Sequence, residues 1–443
     1  MKILKRILLL IAVVLILVVV INYPKLNIIS GYSAKSMSSS VFVADRTLAF
    51  TDSTDNNFSP INLASDKVNL EEKSASASTL GLLTRKAVYR EGLGSVLVTD
   101  DFDITKKQLV PKRGIPNDSI MYPYGNAEPK DTIFENIDYD LLNETVDAFF
   151  NEVFETRAFL VIYKDQIIAE RYGKGFDKNS KILGWSMTKS IMSTVYGIMQ
   201  HQGKVNLQDK APIEEWQGDN RKEITIHNLL QMNSGLEWDE NYDKISDVTK
   251  MLFLEKNMTE MQKRKPLAGK INGSWNYSSG TSNLLSGIQR QILGSQQEYL
   301  DYWYRELIDK IGMNSMLVET DMEGNYVASS YAWATARDWG KFGLLYEHKG
   351  NWNGEQIFAP EWVDYVTTPT PTSRGQYGAQ FWLNAEERYK GIPKTMFFAD
   401  GYQGQRVFIL PEQDLVVVRF GLKGDFSTSW FLKNIMKAIK KLE

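Results

Sequence analysis

Two strand-like pairs, separated by more than two hundred residues, most constrain how this chain can fold. Residues 158–163 and 166–172 flank a Lys164-Asp165 turn and read as a hairpin. Residues 405–410 and 415–420 read as another pair, joined by Pro411-Glu412-Gln413-Asp414. A helical pattern over 141–153 precedes the first pair. A second helical pattern follows the last, with Phe431, Ile435, Ala438, Ile439 and Leu442 on one face and Lys433, Lys437, Lys440 and Lys441 elsewhere. Between them, residues from 211 to about 340 are mostly helix and loop. The expectation is an α+β fold: one antiparallel sheet completed from both ends of the stretch and flanked by helices, beside an all-helical subdomain. A cleft between the two parts would be the natural site.

Directly after the first hairpin stands Gly184-Trp185-Ser186-Met187-Thr188-Lys189-Ser190, opening a helix that ends near His201-Gln202-Gly203. At 100° per residue Met187, Ile191, Val195, Ile198 and Met199 fall on one side, an ordinary core stripe. Ser186, Lys189, Ser190, Ser193 and Gly197 fall on the other. A solvated face would carry more charge, so this small-residue face is expected to admit something closely. Ser186 and Lys189 form the one Ser-x-x-Lys in the chain. A serine at a helix N-terminus has a backbone N–H free to face an oxyanion, and a lysine one turn on can reach its hydroxyl and act as base once desolvated. The same spacing also reads as an N-capping serine and a surface lysine.

Composition narrows the chemistry. There is no cysteine, which excludes thiol nucleophiles, disulfides and thiolate metal sites. The three histidines, 201, 227 and 348, are widely spaced. No metal site and no cofactor are expected, and a hydrolytic base would be Lys, Tyr or a carboxylate. Lys and Arg number 51 against 54 Asp and Glu, so nothing points to nucleic acid.

The chain starts with Lys2, Lys5 and Arg6 ahead of the apolar run 7–21. Cations before such a run read as a membrane anchor or a secretory signal over 1–24, with the rest of the chain outside the cytoplasm. An uncleaved N-terminal membrane helix is expected; a cleaved secreted form is the alternative. Residues 25–137 are expected to be a small β-rich and linker region. It has short strands at 41–43 and 47–50, a meander over 78–83, 86–90 and 95–98, and an extended Pro/Gly-rich linker over 111–129. Residues 138–443 form the main domain.

Two further segments bear on Ser186. In Ser274-Trp275-Asn276-Tyr277-Ser278-Ser279-Gly280, a loop tyrosine could shuttle a proton or simply pack the loop onto the next helix. Asp400-Gly401-Tyr402-Gln403-Gly404-Gln405 stands just before a strongly apolar strand. Glycines there let backbone approach a ligand, or make a plain turn.

Together these stretches resemble the serine β-lactamase and penicillin-binding-protein superfamily, within it the class C-like hydrolases that include esterases, D-amino-acid peptidases and 6-aminohexanoate-dimer hydrolases. Segments 226–236 and 334–343 support the likeness, which covers about 140–443. The resemblance implies the β-lactamase/DD-peptidase-like fold, Ser186 as acylating serine, Lys189 as its partner and Tyr277 as the family's tyrosine. Ser279 stands where that motif has Asn. Tyr402-Gln403-Gly404 takes the place of Lys-Thr-Gly or His-x-Gly, without the cation that helps bind the carboxylate of β-lactams. The N–H of Gln405 would pair with that of Ser186 as oxyanion hole, and Tyr242 resembles a substrate-contacting tyrosine. His227 falls in a structural segment. The implied function is a membrane-tethered serine hydrolase acting on a small-molecule or peptide amide or ester. The alternatives are a non-catalytic peptidoglycan or peptide binder on the same fold and a D-amino-acid (cell-wall) peptidase.

Overall fold

The computed structural model describes residues 2–99, 102–103, 105–150, 153–424 and 426–439. The chain divides into two compact units: Met1–Lys106 with Asp239–Lys256, and Lys107–Trp238 with Asn257–Glu443.

The first unit opens on helix α1 (Lys2–Phe42), followed by α2 (Leu48–Ser53) and strands β1 (Ala64–Asn69), β2 (Ser74–Thr79), β3 (Leu83–Arg90) and β4 (Gly94–Val98). The strands form an antiparallel meander in chain order. The expected meander is present, with β1 added. Residues 80–82 are a turn rather than strand, with Leu80 at φ 52. The short strands expected at 41–43 and 47–50 are not formed: Val41 and Phe42 end α1, and Leu48 starts α2, capped by the Thr47 side chain. The reason is a helical period hidden by polar residues. Ser30, Ser33, Ala34, Met37 and Ser38 are all buried and recur every three or four positions. Their hydroxyls bond across to the sheet, Ser30 to Thr79 at 2.6 Å and Ser38 to Ser95 at 2.8 Å. Small hydroxyl residues let the helix lie close while satisfying buried polar groups. The later helix Asp247–Leu254 joins this unit through Phe253, whose ring meets Tyr32 at 5.5 Å.

Among the described residues no helix is long and apolar enough to cross a membrane. The membrane helix expected over 7–21 is therefore not borne out by the fold. The side chains of Ala12, Leu15, Ile16, Val18 and Ile21 lie outside the described ones.

In chain order the remaining elements are α3 (Tyr139–Asp147), β5 (Thr156–Tyr163), β6 (Gln166–Tyr172), β7 (Ile182–Leu183), α4 (Thr188–His201), α5 (Ile226–Leu230), α6 (Asp247–Leu254, in the first unit), α7 (Glu260–Lys263), α8 (Ser279–Leu293), α9 (Gln296–Trp303), β8 (Leu317–Val318), β9 (Ala332–Ala334), α10 (Ala336–Glu347), β10 (Asn351–Trp352), β11 (Glu355–Gln356), α11 (Glu361–Thr367), β12 (Trp382–Leu383), β13 (Phe397–Gly401), β14 (Gln405–Leu410), β15 (Leu415–Gly421) and α12 (Thr428–Ala438). The second unit is built on an antiparallel sheet of order β12-β13-β14-β15-β5-β6, so its centre joins the last strand to the first hairpin, as expected. Leu142, Val146, Phe159, Val161, Phe408, Phe431 and Ile435 form one core between this sheet and α3 and α12. Burying each such side chain contributes about 1.5–3 kcal/mol. Of the expected closing helix, Phe431, Ile435 and Ala438 are buried; Lys440, Lys441 and Leu442 lie outside the described residues.

The Pro/Gly-rich stretch 111–129 has no regular structure, yet it is fastened to the second unit. Tyr122 is buried and donates to the Arg337 carbonyl at 3.2 Å; Arg113 pairs with Asp309 at 2.8 Å. The boundary expected after residue 137 thus falls earlier, at Lys107.

Candidate active site

Strand β7 pairs with β9, Leu183 opposite Trp333. The chain then turns sharply. Gly184 N–H donates to the Ala332 carbonyl at 2.8 Å, and a Cβ at Gly184 would come 2.7 Å from the Trp339 ring. Trp185 follows in the left-handed region, φ 48, a conformation that costs a non-glycine residue on the order of 1 kcal/mol or more. Thr188 staples this elbow: its hydroxyl donates to the Trp185 carbonyl at 2.7 Å and accepts from Ala332 N–H at 3.0 Å. Ser186 is half-buried in the 3-10 turn Trp185–Met187 that leads into α4.

Lys189, in the first turn of α4, is buried. Its Nζ lies 2.9 Å from Ser186 Oγ, 3.0 Å from Ser279 Oγ and 2.9 Å from the Ser329 carbonyl. These partners are neutral oxygens. An amine so held can take the serine proton as the hydroxyl attacks. Ser278 caps α8 by accepting from Thr281 N–H, which sets Ser279 in the first turn facing Lys189. Asn283, one turn on, accepts the Ser329 N–H at 3.0 Å and so fixes the third partner.

Tyr277 is half-buried, with Lys189 Nζ 4.9 Å from its ring centroid. Tyr377 and Trp382 pack on the same ring at 5.6 and 5.4 Å, and Trp275 closes the group against Tyr377 at 5.5 Å. The site therefore has an aromatic wall.

The turn between β13 and β14 completes the group. Gly401 touches the Gly184 carbonyl so closely that a Cβ there would overlap it. The Tyr402 ring stands edge-on to Trp185 at 5.6 Å. Gln403 and Gly404 are both left-handed, φ 64 and 80. Gln405 is buried, and its side-chain amide donates to the Tyr402 carbonyl at 3.0 Å while its oxygen accepts Gly421 N–H at 3.1 Å.

A family model for Beta-lactamase matches residues 146–421, well over half of the chain. The chain belongs to the beta-lactamase family. The 6-aminohexanoate-dimer hydrolase of Paenarthrobacter ureafaciens is 22% identical over 297 residues, 60% of this chain and 72% of that one. A Bacillus anthracis structure provisionally named as a 6-aminohexanoate-dimer hydrolase superposes with TM-score 0.57 at 20% identity, over 71% of this chain and 87% of that one. A family VIII carboxylesterase superposes with TM-score 0.55 at 13% identity, over 71% and 99%. At these identities the structural likenesses establish the fold.

Within this beta-lactamase-family fold, the segments carrying Ser186, Lys189, Tyr277 and Tyr402–Gln405 come together. Tyr242 lies in the loop ahead of α6, within the segment assigned to the first unit, and the residues named above around Ser186 belong to the second. The small-residue face of α4 is occupied by the protein itself. Ser190 and Ser193 donate to the Gln380 and Ala379 carbonyls at 2.8 and 2.9 Å, and Gly197 lies under the Trp362 indole. Ser279 carried a signal in the sequence, as the residue in place of the motif's Asn. Ser329 acts through a backbone carbonyl and carried none. His227 Nδ1 meets the Tyr365 hydroxyl at 3.1 Å, and His348 Nε2 meets Asp165 at 2.8 Å.

Proposed function

We propose that this serine hydrolase of the beta-lactamase family cleaves an amide or ester through an acyl-enzyme on Ser186. The observation that carries the reading is the 2.9 Å contact between Lys189 Nζ and Ser186 Oγ on a strained elbow. Lys189 takes the serine proton as Oγ bonds to the substrate carbonyl carbon. The backbone N–H groups of Ser186 and Gln405 receive the oxyanion. Collapse expels the amine or alcohol, which gains its proton from Lys189 or through Tyr277, and water then repeats the sequence to free the acid. The aromatic wall of Trp275, Tyr277, Tyr377 and Trp382 favours an apolar substrate chain. The missing cation in Tyr402-Gln403-Gly404 argues against β-lactams. The names of the relatives, a dimer hydrolase of 6-aminohexanoate and a carboxylesterase, support linear amides and esters.

The reading includes a tether. Three cations ahead of the apolar run 7–21 favour an N-terminal anchor with the catalytic unit outside the cytoplasm. Protease added to intact cells is then expected to degrade the second unit; full protection would contradict the placement. For the chemistry, a panel of p-nitrophenyl esters, linear amides and cephalosporins is expected to give turnover on the first two. Preferential turnover of cephalosporins would contradict the substrate class.

A further inference from the structure

Strand β15 reads Leu-Val-Val-Val-Arg-Phe-Gly from Leu415, and its one cation, Arg419, is fully buried. The charged groups that act on it are Arg406, its partner across β14, and Arg157, both cations. Arg406 is itself paired with Asp400 at 2.6 Å. Burial, then these two cations, hold the Arg419 guanidinium down at about 9. A buried cation in such company is costly, and a well-packed apolar residue would cost less.

What the guanidinium holds is the turn beside Ser186. Its Nη1 donates to the carbonyls of Gln403 and Gly404, both at 3.1 Å. Its Nη2 donates to the Phe154 carbonyl at 2.7 Å and to Thr156 Oγ1 at 3.2 Å. The group lies 4.7 Å from the Phe426 ring centroid, in a slot that a Cβ on Gly404 or Gly421 would fill. Gln405 Nε2 holds the remaining turn carbonyl, that of Tyr402. All three carbonyls of the turn are therefore pinned by side-chain donors. In a trans peptide the C=O and the following N–H point in opposite directions. Drawing the Gly404 oxygen to Arg419 turns the Gln405 N–H the other way, toward β13, where Gln405 stands opposite Gly401.

We infer that Arg419 is a positioning residue for the Ser186 site: it clamps the Gln403 and Gly404 carbonyls, so that the turn keeps Gly401 against the Gly184 carbonyl and Tyr402 against Trp185, on the elbow that carries Ser186. This rests on the acyl-enzyme reading above. The sequence departs from Lys-Thr-Gly at Tyr402-Gln403-Gly404, and Arg419 supplies positive charge from behind the turn instead of from within it.

The test compares Arg419→Met, Arg419→Gln and Arg419→Lys with the wild type in three measurements. The first is the p-nitrophenol burst rate per Ser186 titrated by a fluorophosphonate. Loosening the turn packed on the Ser186 elbow is expected to slow acylation roughly 10- to 100-fold in the Met variant with KM within about twofold, and Lys is expected to recover part of it. The second is thermal stability, expected to fall in the Met variant because the Phe154, Gln403 and Gly404 carbonyls lose their donor. The third, run without substrate, is hydrogen exchange of the 403–405 amides, expected to accelerate. An acylation rate per titrated site within twofold of wild type, with only stability lost, would overturn the inference, as would unchanged exchange at 403–405. If the Met variant does not fold, the Gln variant carries the same comparison. If wild-type Ser186 takes no acyl group, the acyl-enzyme reading falls, while the exchange measurement still decides the clamp.

Discussion

Lys189 Nζ meets two hydroxyls, those of Ser186 and Ser279, and the Ser329 carbonyl, and Ser186, on the strained elbow, is the proposed nucleophile. The other two set its position. Removing the Ser279 hydroxyl takes away one hydrogen bond, worth about 0.5–1.5 kcal/mol net and more when the donor is charged. Ser279→Ala is therefore expected to lower kcat about tenfold with KM little changed, read from burst kinetics; unchanged kcat would remove Ser279 from the site. A second residue-scale prediction concerns Glu347, at the end of α10. Its Oε2 is buried without a hydrogen-bond partner, and burial, with Asp414 adding and His348 opposing, pushes the carboxyl up to about 7 from 4.5. A folded-state value above the unfolded one means the native state binds the proton more tightly, so stability is lost as pH rises through this window. Glu347→Gln is expected to be near neutral at pH 5 and to stabilise by about 1–3 kcal/mol at pH 8, visible as a rise in Tm only at the higher pH. An equal shift at both pH values would contradict the assignment.

Helix α4 shows how element-scale packing decides the use of a pattern that was plain in the sequence. Its apolar stripe faces the core, as the spacing requires, while its small face receives the backbone of Ala379 and Gln380 and the Trp362 indole. Alanine at position 197 would gain about 1 kcal/mol of helix propensity over glycine. Its Cβ would stand 2.6 Å from the indole, an overpacking that costs about 1–3 kcal/mol. The clash wins, so Gly197→Ala is expected to lower Tm while leaving kcat unchanged; a raised Tm would show that Trp362 can move. The sheet was legible because continuous apolar strands and short turns are local signals. The second half of α1, from about residue 25 to Phe42, was not, because hydroxyl residues occupy its buried face and hide the period. The third partner of Lys189 could not be found at all, since a backbone carbonyl such as that of Ser329 leaves no mark in a sequence. Arg419 did leave one, a single cation in an otherwise apolar strand.

At the scale of the whole molecule, the chain leaves the catalytic unit at Asp239 and returns at Asn257, and the segment between belongs to the N-terminal unit. Linear sequence suggested a domain boundary but had no means to show this excursion, because it is fixed by tertiary contacts of Phe253 with Tyr32 and with the Arg85 guanidinium, which bonds the Phe253 carbonyl at 3.0 Å. Truncating Phe253, which is buried, is expected to cost about 3–5 kcal/mol locally. Hydrogen exchange in Phe253→Ala should quicken in α6, α1 and β3 together and stay unchanged in β14 and β15; faster exchange throughout would mean the units unfold as one. The beta-lactamase-family fold gathers Ser186, Lys189 and Ser279 into one group, and the proposed function requires that group to do covalent chemistry. Intact-protein mass after a fluorophosphonate measures this directly. The expected result is one adduct on wild-type protein, mapped to Ser186 and absent from Ser186→Ala. An unmodified wild type, or equal labelling of the variant, would contradict the account.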